Sequence, residues 1–187
     1  MIYGCQNLLV AKESNAMTPE QIVKSPTDTR DYLAFKLPNQ LQVLVISDPD
    51  ADKAAASLSV AVGSGSDPKE REGLAHFLEH MLFLGTEKYP NAGAYQRFIN
   101  ENGGSHNAYT AFDETNYFFD VNSDYLEPTL DQFAQFFIAP LLDAEYVERE
   151  KNAVHSEYQT KIKDDNRLEN EVLKTITNPE HAFSQFS

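Results

Sequence analysis

The chain has 187 residues, 41% of them hydrophobic, which is enough for one domain with a buried core. Its 29 Asp and Glu outnumber 15 Lys and Arg, and the net charge of -14 argues against binding nucleic acid or anionic lipid through bulk charge. Cys5 is the single cysteine, which excludes a disulfide framework and a cysteine-rich zinc site, and no run of about 18 apolar residues predicts a transmembrane segment in this chain.

The first 30 residues are polar and show no sustained periodicity, so they predict an N-terminal tail, with the folded domain over residues 31–187. Within this tail, Gly4-Cys5 matches the end of a lipoprotein signal, but a cysteine without a special role is the simpler interpretation. A lipoprotein would be anchored in the bacterial periplasm, and the alternative compartment is the cytoplasm.

Three β-rich segments follow the tail. Residues 32–37 and 41–47 flank Pro38-Asn39, which predicts a hairpin, and residues 55–62 form a third strand that ends in the turn at residues 63–68. An extended stretch over residues 109–121, turning at residues 113–116, is predicted further along the chain.

The remaining segments have helical periodicity. Predicted helices cover residues 73–84, 92–102, 126–138 and 143–164, the last resuming over 168–176. In the helix at 126–138, the spacing predicts an inward stripe of Leu130, Phe133, Phe137 and Ile138. Strands combined with interleaved helices predict an α+β fold in which a mixed or antiparallel sheet packs against helices.

The helix at residues 73–84 contains the pattern H-x-x-E-H, formed by His76, Glu79 and His80. At helical spacing these three side chains project from one face, so the two imidazoles can share one zinc ion. Glu79 is then placed to act as a general base toward a water molecule. The apolar residues Leu74 and Phe77 belong to the opposite, core-facing stripe, which leaves the His and Glu face free.

A catalytic zinc site needs a third protein ligand. Glu150 and Glu157, in the acidic helix at 143–164, are seven residues apart and therefore lie on one helical face. From this spacing either carboxylate can be the ligand while the other supports the site, and a solvated surface role remains the alternative for each.

Four separated blocks, in this order, resemble the insulysin and pitrilysin family of zinc peptidases. They are GLAHFLEHMLFLGTEKYP at 73–90, NGGSHNAYTAFDETNYFFDV at 102–121, LDQFAQFFIAPLL at 130–142 and EREKNAVHSEY at 148–158. The resemblance implies that His76, His80 and Glu157 bind zinc, that Glu79 is the general base and that Glu150 is a supporting carboxylate.

The resemblance also implies that residues 104–110 belong to an edge strand that pairs with the substrate backbone, with Asn107 and Ala108 close to the scissile bond. Such pairing satisfies the backbone groups of an extended peptide on an unpaired strand. From the residues alone, an interior strand after Gly103-Gly104 is an equal alternative.

Members of the family have a second, homologous half, which the chain lacks. We therefore expect a zinc endopeptidase whose partners are a peptide substrate and the missing C-terminal half, with little or no turnover by this chain alone. The alternative is a non-catalytic peptide-binding or structural subunit of the same fold, but such a subunit has no need of the intact H-x-x-E-H pattern.

Overall fold

The computed structural model describes residues 22–184, which divide into two compact units after Ala51. Gly4-Cys5 and most of the predicted tail lie outside the described residues. No helix within 22–184 combines the length and apolar character that crossing a membrane requires. The described residues form antiparallel strand pairs in both units and helices in the second, which confirms the predicted α+β class.

The first unit contains one antiparallel hairpin of β1 (Asp31–Lys36) and β2 (Gln42–Ser47). Its turn closes through hydrogen bonds from Leu37 N to Leu41 O and from Gln40 N to Leu37 O, and Gln40 takes a left-handed conformation with φ of 73°. The hairpin predicted at Pro38-Asn39 is therefore confirmed.

The second unit is built on a three-stranded antiparallel sheet in the order β3-β5-β4. Its strands are β3 (Lys53–Val60), β4 (Ser105–Thr110) and β5 (Thr115–Asn122). Because β5 lies in the centre, β4 is an edge strand of this sheet. The first arm of the predicted stretch at 109–121 begins at Ser105, four residues earlier than the sequence indicates.

Five helices complete this unit. They are α1 (Leu74–Leu82), α2 (Ala94–Glu101), α3 (Leu126–Ile138), α4 (Ala144–Lys161) and α5 (Asp165–Ile176). α1 contacts both β4 and α4, so it lies between the edge strand and the long acidic helix. Each helix corresponds to a predicted one.

The core of the unit is mostly aromatic. Its buried members come from the sheet and from helices α1 to α3: Leu82, Tyr95, Ile99, Tyr117, Phe119, Val121, Phe133 and Phe136. In α3 the predicted inward stripe is only partly correct. Phe133 is buried and Phe137 packs against the core, but Leu130 and Ile138 are exposed and Phe136 is buried in their place.

The start of α1 is held by Asp67, whose buried carboxylate accepts hydrogen bonds from Gly73 N and Ala75 N at 2.8 and 2.9 Å. These two N–H groups belong to the first turn, where a helix has no internal acceptors for them. A negative charge at this end also interacts favourably with the helix dipole. Asp67 therefore fixes the helix that carries the H-x-x-E-H pattern.

Two glycines set the path from α2 into β4. Gly103 takes a left-handed conformation with φ of 70°, and a Cβ at Gly104 would lie 2.1 Å from the backbone oxygen of Asp120 on the neighbouring strand. The backbone of β4 can approach β5 this closely only because position 104 has no side chain. This approach starts β4 in register with β5, with Ser105 opposite Asp120.

Candidate metal centre

The H-x-x-E-H residues lie on α1, and the helix brings two imidazoles together. The rings of His76 and His80 meet edge to face, with centroids 4.8 Å apart and their Nε2 atoms 3.2 Å apart. Both rings are partly buried, whereas Glu79 is almost fully buried with 7% of its surface exposed. The Glu79 side chain is therefore enclosed by protein and does not share a free, solvent-facing surface with the histidines.

The third side chain of this cluster comes from α4. Glu157 places Oε2 3.5 Å from His76 Nε2 and Oε1 3.7 Å from His80 Nε2. Among the described residues, His76, His80 and Glu157 are the potential metal ligands that lie close enough together to hold one ion. His106, His155 and His181 are not part of this group.

The spacing of these donors fits zinc. Zinc bonds of about 2.0–2.1 Å to nitrogen and oxygen at tetrahedral angles place the donor atoms about 3.3–3.4 Å apart. The two Nε2 atoms are 3.2 Å apart, and the Glu157 carboxylate approaches them with different oxygens, Oε2 at 3.5 Å from His76 and Oε1 at 3.7 Å from His80. With one ligand atom taken from each residue, all three lie within 4.8 Å of one another. Two imidazoles and one carboxylate also leave a fourth tetrahedral position open, as a catalytic zinc requires.

Glu150 approaches the same cluster from behind His80. Its Oε2 lies 3.3 Å from His80 Nδ1, and Oε1 accepts a hydrogen bond from Arg149 Nε at 2.8 Å. A carboxylate facing Nδ1 favours the tautomer with the proton on that nitrogen, which leaves the Nε2 lone pair free for a metal. The helical face predicted to carry both Glu150 and Glu157 does face the histidines.

The protonation of His76 also suits metal binding. Burial lowers the pKa of His76 below its usual value of 6.5, an effect that the nearby charge of Glu79 opposes. A neutral imidazole keeps a lone pair for coordination, whereas an imidazolium has none. His76 is therefore ready to bind a metal at neutral pH.

Thr110 makes a contact that the sequence analysis did not predict. Its hydroxyl donates a hydrogen bond of 2.6 Å to Glu79 Oε2. Thr110 is the last residue of β4, 31 positions from Glu79, and no sequence periodicity links a strand end to a helix at that distance. Only the packing of α1 on β4 brings them together.

Asn107 and Ala108 lie in the middle of edge strand β4. Ala108 packs against the core on the inner face, on which Thr110 also lies, whereas the Asn107 side chain is exposed on the opposite face. Their side chains therefore point in opposite directions. Backbone groups of successive strand residues also point to opposite edges, so one of the two residues directs its N–H and C=O toward the edge that β5 does not cover.

A cleft of about 260 Å³ opens beside this strand. Phe83 and His106 form part of its wall, with ring centroids 5.4 Å apart, and Arg149 borders it from α4. Arg149 is also the residue that binds Glu150, so the cleft adjoins the metal centre. Its lining therefore combines aromatic rings with the guanidinium group of Arg149.

Comparison with known proteins shows which family this chain resembles. The sequence profile described as insulinase (peptidase family M16) matches residues 42–185. The insulin-degrading enzyme of Mus musculus is 51% identical over 167 residues, which cover 89% of this chain and 16% of that protein. A crystal structure of pitrilysin covers 93% of this chain and 18% of its own, with a TM-score of 0.87 and 41% identity.

A further relative bears on the metal. A protein of Schizosaccharomyces pombe, whose name describes a zinc protease, is 44% identical over 160 residues, which cover 86% of this chain and 16% of that protein. This similarity, the family match and the cluster of His76, His80 and Glu157 confirm zinc as the expected cofactor. The chain spans less than a fifth of the length of these relatives.

Proposed function

The chain belongs to the insulinase family (peptidase family M16), and we propose that it forms the metal-binding and catalytic part of a zinc endopeptidase acting on peptides or unfolded segments. The observation that supports this most directly is the convergence of His76, His80 and Glu157, residue types that zinc binds, with one ligand atom from each lying within 4.8 Å of the others. When bound, zinc supplies Lewis-acid chemistry, which polarises a carbonyl group and makes water more acidic.

Glu79 is the general base of the proposed reaction. It takes a proton from the attacking water molecule and delivers it to the amine of the leaving fragment, so one carboxylate serves both steps. Its position supports this role, because it directly precedes His80 and its Oε2 is held by Thr110. Enclosure of Glu79 also limits exchange of its proton with bulk solvent.

Glu150 is a positioning residue in this scheme. Its carboxylate accepts a hydrogen bond from Nδ1–H of His80 and so orients the ring toward His76 and Glu157. The substrate occupies the free edge of β4 beside Asn107 and Ala108, where the backbone groups that point away from β5 pair with an extended peptide. Pairing through the backbone accepts many sequences, and the cleft beside Arg149 selects among side chains.

Turnover is proposed to need more protein than this chain. The relatives carry more than four fifths of their length outside the matched region, and a second half of the family type would cover the open side of the metal centre. The 187-residue chain would then bind zinc and peptide but hydrolyse slowly or not at all. The native protein that carries it, with such a half present, would be active.

The test compares zinc content and cleavage in two proteins, the native protein and its Glu79→Gln variant. Gln cannot accept the proton but has nearly the same size. We expect one equivalent of zinc in both by elemental analysis, and internal cleavage of a fluorogenic peptide only in the parent. Cleavage by Glu79→Gln at the parent rate would refute the general-base role. Zinc binding without cleavage in the parent would favour the alternative function, a non-catalytic peptide-binding subunit.

A further inference from the structure

The surroundings of the Thr110 hydroxyl favour a hydrogen bond from it to Glu79. The Thr110 hydroxyl also lies 3.5 Å from that of Thr115 on β5. The Thr115 proton is directed at the backbone oxygen of Val62, at 2.8 Å, so Thr115 does not donate to Thr110. Thr110 instead donates its own proton to Oε2 of Glu79, at 2.6 Å. This short distance is typical of a hydrogen bond to a carboxylate.

This contact links the two parts of the proposed reaction centre. Glu79 lies on α1 with the histidines, whereas Thr110 ends the edge strand that is proposed to receive the peptide. Thr110 lies two residues after Ala108, so both side chains are on the inner face of β4. A hydrogen bond from Thr110 therefore fixes the base relative to the substrate strand.

We propose that Thr110 is the positioning residue of the general base, which holds Glu79 Oε2 so that Oε1 faces the attacking water. This inference rests on the proposed function and adds a residue to it. The carboxylate of a glutamate rotates easily about its last bond, and a donor on one oxygen removes that freedom before the substrate binds. Threonine suits this task better than serine because its branched Cβ restricts χ1 and keeps the hydroxyl in one direction.

Three variants of the native protein separate the hydroxyl from the shape of the side chain. Thr110→Val keeps the shape and removes the donor, whereas Thr110→Ser keeps the donor. Thr129→Val is the matched control, because Thr129 is fully buried in α3 and its hydroxyl also donates one hydrogen bond, to Tyr125 O just before the helix. It reports the general effect of removing a buried threonine hydroxyl.

We expect Thr110→Val to lower kcat about 10- to 100-fold while KM stays within about 2-fold and zinc remains at one equivalent, because the variant misplaces the base and leaves metal and peptide binding intact. Thr110→Ser should recover most of kcat, and Thr129→Val should keep the parent value. An unchanged kcat in Thr110→Val would overturn the proposal. So would a loss of zinc or a large rise in KM, since either points to a structural role.

Crystal structures give a readout that does not depend on activity. In the parent, Glu79 should adopt one conformer with Oε2 on Thr110, and in Thr110→Val its carboxylate should rotate or occupy several conformers. The same single conformer in both would overturn the proposal. If Thr110→Val does not fold, Thr110→Ala and Thr110→Ser make the same comparison, because they also differ by the hydroxyl.

The Glu79→Gln variant distinguishes failure of this inference from failure of the proposed function. A parent that cleaves peptide, an inactive Glu79→Gln and a fully active Thr110→Val would reject the role of Thr110 and leave the proposed function intact. Activity retained in Glu79→Gln would reject the general base itself. The proposal for Thr110 would then fall with it, whatever the conformers show.

Discussion

His80 and Glu150 are 70 positions apart in the chain, yet Nδ1 of the histidine lies 3.3 Å from Oε2 of the carboxylate. The contact joins α1 to α4 and gives Glu150 and Glu157, two of the four glutamates of α4, different positions around the histidines. The Glu150 side chain is 12% exposed and faces Nδ1 of His80, whereas the Glu157 side chain is 46% exposed and faces Nε2 of both histidines.

This arrangement predicts different zinc losses on replacing the two glutamates. Glu157→Gln replaces an anionic ligand with a neutral amide and should leave less than one equivalent of zinc after dialysis. Glu150→Gln removes only the partner of His80 and should weaken zinc binding about 10- to 100-fold. Bound zinc is measured by elemental analysis, with the exposed Glu148→Gln as control. Full zinc in Glu157→Gln beside an empty Glu150→Gln would reverse the assignment.

Asp67 should contribute more to stability than an ordinary helix cap. Asp67→Ala leaves the N–H groups of Gly73 and Ala75 without their acceptor in a buried setting, at a cost of about 1–3 kcal/mol. Asp143→Ala is the control, because Asp143 caps α4 through a single hydrogen bond to Glu145 N at an exposed site. Urea unfolding with a chelator present measures both. A smaller loss for Asp67→Ala than for Asp143→Ala would contradict the role of Asp67.

Stability should fall in mild acid because of His106. Burial lowers the pKa of His106 below 6.5, so as the pH falls through 6.5 the unfolded chain takes up the proton before the folded one. The contribution of His106 to the free energy of unfolding is constant above that pH. It is lost as the pH falls toward the lower pKa that His106 has in the folded state. Melting temperatures at pH 7.5 and 5.0, without metal, should differ less in His106→Gln than in the parent. Substitution of the exposed His155 by Gln is the control, and an equal effect there would refute the assignment to His106.

Peptide pairing with β4 predicts a period of two along the substrate. In an extended strand, successive backbone N–H groups point to opposite sides, so only alternate ones can face β4. Methylating the backbone nitrogens of a peptide one at a time should therefore raise KM at every second residue and leave those between nearly unchanged. The reference is the peptide of the same sequence without methyl groups. An equal rise in KM at every position would mean that the peptide does not bind as an added strand.

The sequence predicted the elements of this fold well, but not all of their packing. The hairpin at Pro38-Asn39 and α1 follow from local signals, namely turn residues and a 3.6-residue period. Local signals do not predict which residues of α3 are buried. Phe136 and Ile138 are both apolar, and the neighbouring aromatic rings decide that Phe136 is the buried one. In α1, Leu74 is 44% exposed although its spacing predicted a core position.

The metal centre, too, was predicted only in part from the sequence. Helical spacing predicts that His76 and His80 meet, and it gives two candidate carboxylates on α4. It cannot rank those carboxylates, because their difference lies in how α4 packs against α1. Thr110 and Asp67 were missed for a related reason. Each acts on α1 from outside the helix, through tertiary contacts or an irregular turn that no periodicity describes.

Because the proposed zinc ligands are divided between α1 and α4, bound zinc would indicate that these two helices are packed together. α1 alone offers two imidazoles, and a peptide copied from it would hold zinc weakly. The third proposed ligand, Glu157, is in place only when α4 is packed against α1, and β4, β5 and α3 lie between the two helices in the chain. Release of zinc and separation of α4 from α1 should thus be one event. Chelators would accelerate attack by an added protease on α4, and excess zinc would slow it.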